Sequence, residues 1–182
     1  MNTYEDISLL IGRCKQGDTE AQFAIYKLFY RAMFNTALRI IQHKEEAEDV
    51  MQECFLQAFN KLDDLKDNQF FAGWLKQMVV NKSLNCVRKL KPLDTEDFET
   101  VLIPDEVYDT YDTFLSKRKE KVLLALKQIK DSYRIVLTLH YIEGYDLEEV
   151  CEIMQISYGN CRTLLTRAKT SVRQKIELYE SA

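Results

Sequence analysis

Asp146-Leu147-Glu148-Glu149-Val150-Cys151-Glu152-Ile153-Met154-Gln155-Ile156-Ser157-Tyr158-Gly159-Asn160-Cys161-Arg162-Thr163-Leu164-Leu165-Thr166-Arg167-Ala168-Lys169 carries two helices and the turn between them. Asp146 sits where a helix N-cap belongs, and Glu149 three residues on completes a capping box. Leu147, Val150, Cys151 and Met154 recur at helical spacing and form one apolar face. Gln155-Ile156-Ser157 turns the chain. Ser157 can cap a second, longer helix whose inner face is Cys161, Leu164, Leu165, Ala168 and Val172. A short helix, a three-residue turn and a longer basic helix are the layout of a helix-turn-helix. The outward face of the second helix presents Gly159, Arg162, Thr163, Thr166, Arg167 and Thr170. Arg reads guanine, Thr contacts bases or phosphates, and Gly159 lets the backbone approach DNA. A surface helix can be basic for other reasons, so DNA binding does not follow from this stretch alone.

Two further helices precede it. Residues 118–130 carry Val122, Leu123, Leu126 and Ile129. Residues 131–143 carry Ile135, Val136, Leu139 and Ile142 and stop at Gly144. Upstream of these the composition changes. Pro92 to Ser116 contains both prolines of the chain and eight acids (Asp94, Glu96, Asp97, Glu99, Asp105, Glu106, Asp109 and Asp112) but no basic residue. Its helical periodicity is poor, and 92–116 reads as an acidic linker between two helical domains.

The linker explains a misleading average. The chain of 182 residues has 25 basic and 29 acidic residues, a net charge of −4, which by itself speaks against nucleic acid. Without the eight linker acids the balance is 25 to 21, or +4. Gln69 to Leu93 has no acid but carries Lys76, Lys82, Arg88, Lys89 and Lys91. Ser157 to Ile176 has no acid but carries Arg162, Arg167, Lys169, Arg173 and Lys175. Two cationic segments flank one anionic segment.

The N-terminal half is also helical. Residues 18–41 form a long helix capped by Asp18, with Ala21, Ile25, Leu28, Phe29, Ala32, Phe34, Leu38 and Ile41 as its stripe. Gln42-His43-Lys44 turns into a helix over about 45–62. Ala47, Val50, Met51, Cys54, Phe55, Ala58, Phe59 and Leu62 gather on its inner face. Asp49, Gln52, Glu53, Leu56 and Asn60 gather on the opposite face. An apolar Leu56 ringed by polar groups fits a protein-docking patch, although a lone exposed Leu is common. Residues 70–90 form the next helix. It opens with Phe70, Phe71 and Trp74 and continues into the basic run, a combination suited to single-stranded nucleic acid. Phe71, Trp74, Leu75 and Met78 also fit a plain core stripe, and that alternative stays open.

Other classes are excluded. With 46% apolar and 30% charged residues, the composition suits a folded helical protein rather than a disordered or collagen-like one. No run of eighteen apolar residues predicts a membrane span, and the acidic start lacks a signal peptide's features, so a cytoplasmic protein is expected. Five cysteines (14, 54, 86, 151 and 161) without a CxxC pair suggest neither a disulfide framework nor a zinc site. Cys54, Cys151 and Cys161 read as small core residues. No nucleophile–base pair or glycine-rich phosphate loop is present. No enzyme, cofactor or metal is expected.

Ala47-Glu48-Asp49-Val50-x-Gln52-Glu53-x-Phe55 resembles the core-binding segment of ECF-type (extracytoplasmic function) sigma factors of bacterial RNA polymerase. Phe71-x-x-Trp74-Leu75, with Asn81 and Arg88 beyond it, resembles their promoter-melting helix. Leu147-Glu148-Glu149-Val150-Cys151 and Arg167-Ala168-Lys169 resemble their helix-turn-helix. The resemblance implies an all-α protein of two small domains, 1–91 and 117–182. Asp49, Gln52, Glu53, Leu56 and Asn60 would meet the clamp of the largest polymerase subunit. Phe70, Phe71, Trp74, Lys76, Asn81, Lys82 and Arg88 would hold a −10-type element as a single strand. Ser157, Tyr158, Gly159, Asn160, Arg162, Thr163, Thr166, Arg167, Lys169 and Thr170 would meet a −35-type element. It further implies contact with the flap of the second polymerase subunit and an anti-sigma factor as partners, without membrane insertion. Asn85, Cys151 and Gln155 depart from the family's usual Asp, Ala and Gly. A Gln in that turn is strained where φ is positive, and the turn geometry can differ to avoid it. A free-standing helix-turn-helix regulator and a helical adaptor without a DNA role are the competing readings.

Overall fold

The computed structural model describes residues 3–90 and 121–180. They fall into two compact units, one on each side of the undescribed segment. The acidic linker expected over 92–116 lies outside the described residues. No strand occurs among the described residues.

The first unit contains α1 (Thr3–Lys15), α2 (Thr19–Ile41), α3 (Lys44–Asn60) and α4 (Phe71–Leu90). Helices α2, α3 and α4 pack on one another, and α1 packs on α2. Asp18 starts α2 by accepting from the backbone N–H of Glu20 (2.9 Å) and Ala21 (3.1 Å). Its other oxygen takes the Arg13 guanidinium at 2.7 Å, joining the end of α1 to the start of α2. The bond from Ala21 and the one from Arg13 hold the Asp18 carboxyl below the usual carboxylate range. The capping contribution is therefore full above the ordinary carboxylate pKa and is lost as pH falls through the lowered one.

The inner face of α3 lies where the periodicity puts it, with Ala47, Val50, Met51, Cys54, Phe55 and Ala58 buried. On α2 the stripe needs correction. Leu28 is 50% exposed and Ala32 is also exposed, whereas Met33, Ala37 and Ile40 are buried. A helix touched by three neighbours buries a broader and shifted arc than a single stripe suggests. Helix α1 is an addition to the helices expected from periodicity. Its Ile11 and Cys14 are buried, and Ile7 and Leu10 pack against the same core.

That added helix matters for the site. Lys15 Nζ donates to the Leu65 carbonyl at 3.1 Å, and Asn68 Nδ2 donates to the Ser8 carbonyl at 3.2 Å. Two 3-10 turns, Leu62–Asp64 and Asn68–Phe70, complete the connection between α3 and α4. Helix α1 thus holds in place the segment that delivers Phe70.

The second unit contains α5 (121–127), α6 (Asp131–Leu137), α7 (Leu147–Met154) and α8 (Tyr158–Glu180). Val136, Leu139, Val150, Cys161 and Ala168 are fully buried. The single helix expected over 131–143 is instead α6 followed by a π-helical turn, Thr138–Ile142. The wider turn moves the helix out of phase, so Ile142, expected inside, is 42% exposed. Gly144 follows with φ +82°. Arg134 is buried and ion-paired with Asp131 at 2.5 Å.

The capping box at Asp146 forms in both directions, each bond 2.8 Å long. The turn after α7 carries the strain that a Gln with positive φ implies. Gln155 adopts φ 59°, ψ 45°, a left-handed conformation that L side chains other than Asn and Asp rarely take. The side chain is tolerated at a cost. Gln155→Gly is expected to stabilise the second unit by about 1 kcal/mol, read as a higher urea midpoint at unchanged slope.

Candidate docking and nucleic-acid faces

The outward face of α3 gathers all five residues assigned to it. Asp49, Gln52, Glu53 and Asn60 are exposed, and Leu56 is 66% exposed among them. The inner face is fully occupied by core, so this face is open for a partner. Glu53 has a second role that periodicity does not reveal. Its carboxylate pairs with Lys82 of α4 at 2.6 Å. Residues assigned to two different interfaces therefore hold α3 against α4. Exposed pairs of this kind contribute about 0.2–1 kcal/mol.

The start of α4 separates its aromatics. Phe70 ends the 3-10 turn and is 69% exposed. Phe71 is completely buried, with its ring centroid 5.8 Å from that of Phe29 and 6.2 Å from that of Trp74. Phe71 therefore belongs to the core and cannot stack on a base, which corrects its place in the single-strand set. Trp74 is half-buried against the same core. Lys76 is half-buried and Asn81 exposed. Lys82 is committed to Glu53, so it is not a free phosphate contact in this arrangement. Arg88 is exposed and donates to Asn85 Oδ1 at 3.2 Å.

The face of α8 is built more simply. Ser157 Oγ accepts from Asn160 N–H at 3.4 Å, closing the helix start. Ser157, Tyr158, Gly159, Asn160, Arg162, Thr163, Thr166, Arg167, Lys169 and Thr170 are all exposed. Arg162 and Arg167 have no ion pair among the described residues. Lys169 differs from them. Its Nζ lies 5.1 Å from the centroid of Tyr141, on the π-helical turn. That cation–π contact braces α8 against the turn and ties up one of the assigned cations.

The cysteines are structural. Cys14, Cys54 and Cys161 are buried, whereas Cys151, expected inside, is only half-buried. Burial pushes the thiols of Cys54 and Cys161 up to about 11, which leaves them poor nucleophiles near neutral pH. A hydrogen bond with Cys151 adds to the effect at Cys161. No helix among the described residues is long and apolar enough to cross a membrane.

Comparison with known proteins places these faces in a family. Residues 25–92 match the model of Sigma-70 region 2, and residues 119–172 match that of Sigma-70, region 4. The chain is similar to the ECF RNA polymerase sigma factor SigW of Bacillus subtilis, 27% identical over 91% of this chain and 94% of that protein. It is 24% identical to the RNA polymerase sigma-H factor of Pseudomonas aeruginosa, over 97% of each. It is 22% identical to the ECF RNA polymerase sigma-E factor of Escherichia coli, over 93% of each. Among solved structures, CnrH in complex with the cytosolic domain of CnrY aligns with TM-score 0.57 at 17% identity, over 94% of this chain and 97% of that one. The sigma factor RpoE in complex with the anti-sigma factor NepR, from Bartonella quintana, aligns with TM-score 0.59 at 20% identity, over 85% and 95%. These structures share the fold. With the region 2 match carrying the exposed α3 face and the region 4 match carrying the capped helix-turn-helix, the chain belongs to the ECF-type RNA polymerase sigma factors.

Proposed function

We propose that residues 1–91 dock core polymerase and engage an opened −10-type element, that 92–116 link the two domains, and that residues 117–182 bind a −35-type element. The observation that carries the DNA assignment is the face of α8, on which Arg162 and Arg167 flank exposed threonines without an ion pair among the described residues. A guanidinium without an acidic neighbour is free to neutralise phosphate or to bind guanine in a bidentate manner. The docking assignment rests on Leu56 and its polar ring. The clamp of the largest subunit is the partner proposed for it, and the flap of the second subunit is a further contact. No step in this role makes or breaks a covalent bond, and its place is the cytoplasm.

The relatives solved with CnrY and with NepR support an anti-sigma factor as a third partner. Such a protein would compete for the same faces and would keep the chain inactive until it is released.

Salt dependence tests the α8 assignment. Each phosphate contact removed lowers the slope of log K against log salt by about 0.9. Arg162→Ala and Arg167→Ala in holoenzyme are each expected to weaken promoter binding. A variant that loses a phosphate contact flattens the slope by about 1. A variant that loses a guanine contact relaxes preference at one base pair instead. Unchanged affinity, slope and preference in both variants would remove α8 from the DNA.

A further inference from the structure

Three threonines on the outward face of α8 repeat one geometry. Thr163 Oγ1 donates to the Gly159 carbonyl at 3.0 Å, Thr166 Oγ1 to the Arg162 carbonyl at 2.9 Å, and Thr170 Oγ1 to the Thr166 carbonyl at 3.2 Å. All three residues are exposed. A hydroxyl has one hydrogen to donate, and each of these is used inside the helix. With Oγ1 turned onto the preceding turn of backbone, the staggered alternative position on Cβ is filled by the γ-methyl. What α8 offers a partner at these positions is therefore a methyl group rather than a hydrogen-bond donor.

Spacings of three and four place residues 163, 166 and 170 on one side of the helix. A Cβ added at Gly159, one turn before Thr163, meets nothing within 4 Å, so the approach to this stripe is open. Arg162 and Arg167 lie beside it. In the major groove the one apolar group on any base edge is the C5-methyl of thymine. A stripe whose hydroxyl donors are used internally, and whose methyls are aligned, is matched to that group, while Arg162 and Arg167 beside it keep their donors for phosphate or guanine.

We propose that Thr163 and Thr166 are specificity-determining residues that read thymine C5-methyl groups in the upstream promoter element. They lie in the part of the helix nearest its N-terminus, where a recognition helix meets base edges. This rests on α8 being the recognition helix. Thr170, one turn further on, extends the stripe toward the edge of the contact. Burial of one methyl against another corresponds to a change of about three- to fourfold in affinity.

The test uses holoenzyme and a duplex that it selects from a promoter library randomised at the upstream element. Each thymine of that element, on either strand, is replaced singly by deoxyuridine, which lacks only the methyl. At one or two positions, deoxyuridine is expected to weaken binding by about three- to fourfold. Thr163→Ser or Thr166→Ser, which keeps the hydroxyl and removes the methyl, is expected to make the enzyme indifferent to thymine or deoxyuridine at its own position. Thr163→Val and Thr166→Val, which keep a methyl and remove the hydroxyl, are expected to preserve the discrimination. A selected element without A·T pairs, or indifference to deoxyuridine throughout, would overturn the proposal while leaving the sigma-factor reading intact. Discrimination kept by Ser and lost by Val would also overturn it. Failure of the holoenzyme to select any upstream element would instead refute α8 as the recognition helix, and this inference with it.

Discussion

Leu56→Glu is expected to abolish binding to core polymerase without unfolding the protein. Leu56 is 66% exposed, so the native chain gains little from its burial, and substitutions at such sites usually change stability by about 0.5 kcal/mol or less. In a complex the same side chain would be the apolar centre of a ring made by Asp49, Gln52, Glu53 and Asn60. Truncating a residue of that kind costs about 2–4 kcal/mol of binding, and placing a carboxylate in the desolvated centre adds to the loss. Affinity should fall at least 100-fold, measured by anisotropy of labelled chain titrated with core enzyme, with the thermal transition unchanged. Asp49→Arg should act similarly, because Asp49 is exposed on the same face. Glu53 is a poorer probe, since its replacement also breaks the ion pair with Lys82. Wild-type affinity in Leu56→Glu would refute the docking face.

Adjacent phenylalanines should give opposite results. Phe71→Ala removes a completely buried ring that touches Phe29 and Trp74, and is expected to cost about 3–5 kcal/mol of stability. Against a total of about 5–15 kcal/mol for a typical domain, that leaves the first unit partly unfolded at growth temperature. Phe70→Ala removes a ring that is 69% exposed and should leave the denaturation midpoint nearly unchanged. Its loss should appear in promoter opening. Stacking of one base on an aromatic ring contributes about 1–3 kcal/mol, so the open-complex equilibrium should weaken by roughly five- to 150-fold, followed by permanganate reactivity of unpaired thymines. Normal opening by Phe70→Ala would remove Phe70 from the single-strand contact. A stable Phe71→Ala would contradict the packing described above.

These two residues also show what the sequence can and cannot reveal. The capping box at Asp146, the Ser157 cap and the inner face of α3 are local patterns, and local patterns survive folding. Phe70 and Phe71 are neighbours with the same side chain. Which one turns inward depends on where α4 begins and on how α1 holds the preceding turn through Lys15 and Asn68. Helix α1 itself has a short stripe at Ile7, Leu10, Ile11 and Cys14, interrupted by Gly12, too brief to stand out without the core it covers. The pairing of Lys82 with Glu53 joins residues 29 positions apart, and no periodicity within one helix reports it. The π-helical turn at Thr138–Ile142 carries no residue signature, so the exposure of Tyr141 and its contact with Lys169 follow only from tertiary structure. Gln155 is the reverse case. Its side chain disfavours a positive φ, yet the chain adopts φ 59° there, so the cost is legible in the sequence while the conformation is not.

A sigma factor gives polymerase its promoter specificity and does not act on DNA alone. Run-off transcription on a randomised promoter library, with purified core enzyme and purified chain added separately and together, tests it most directly. Defined transcripts sharing upstream and downstream elements are expected only when both are present, with no footprint from the chain alone at the same concentration. A clear footprint from the chain alone, with no promoter-directed transcript when core enzyme is added, would contradict it.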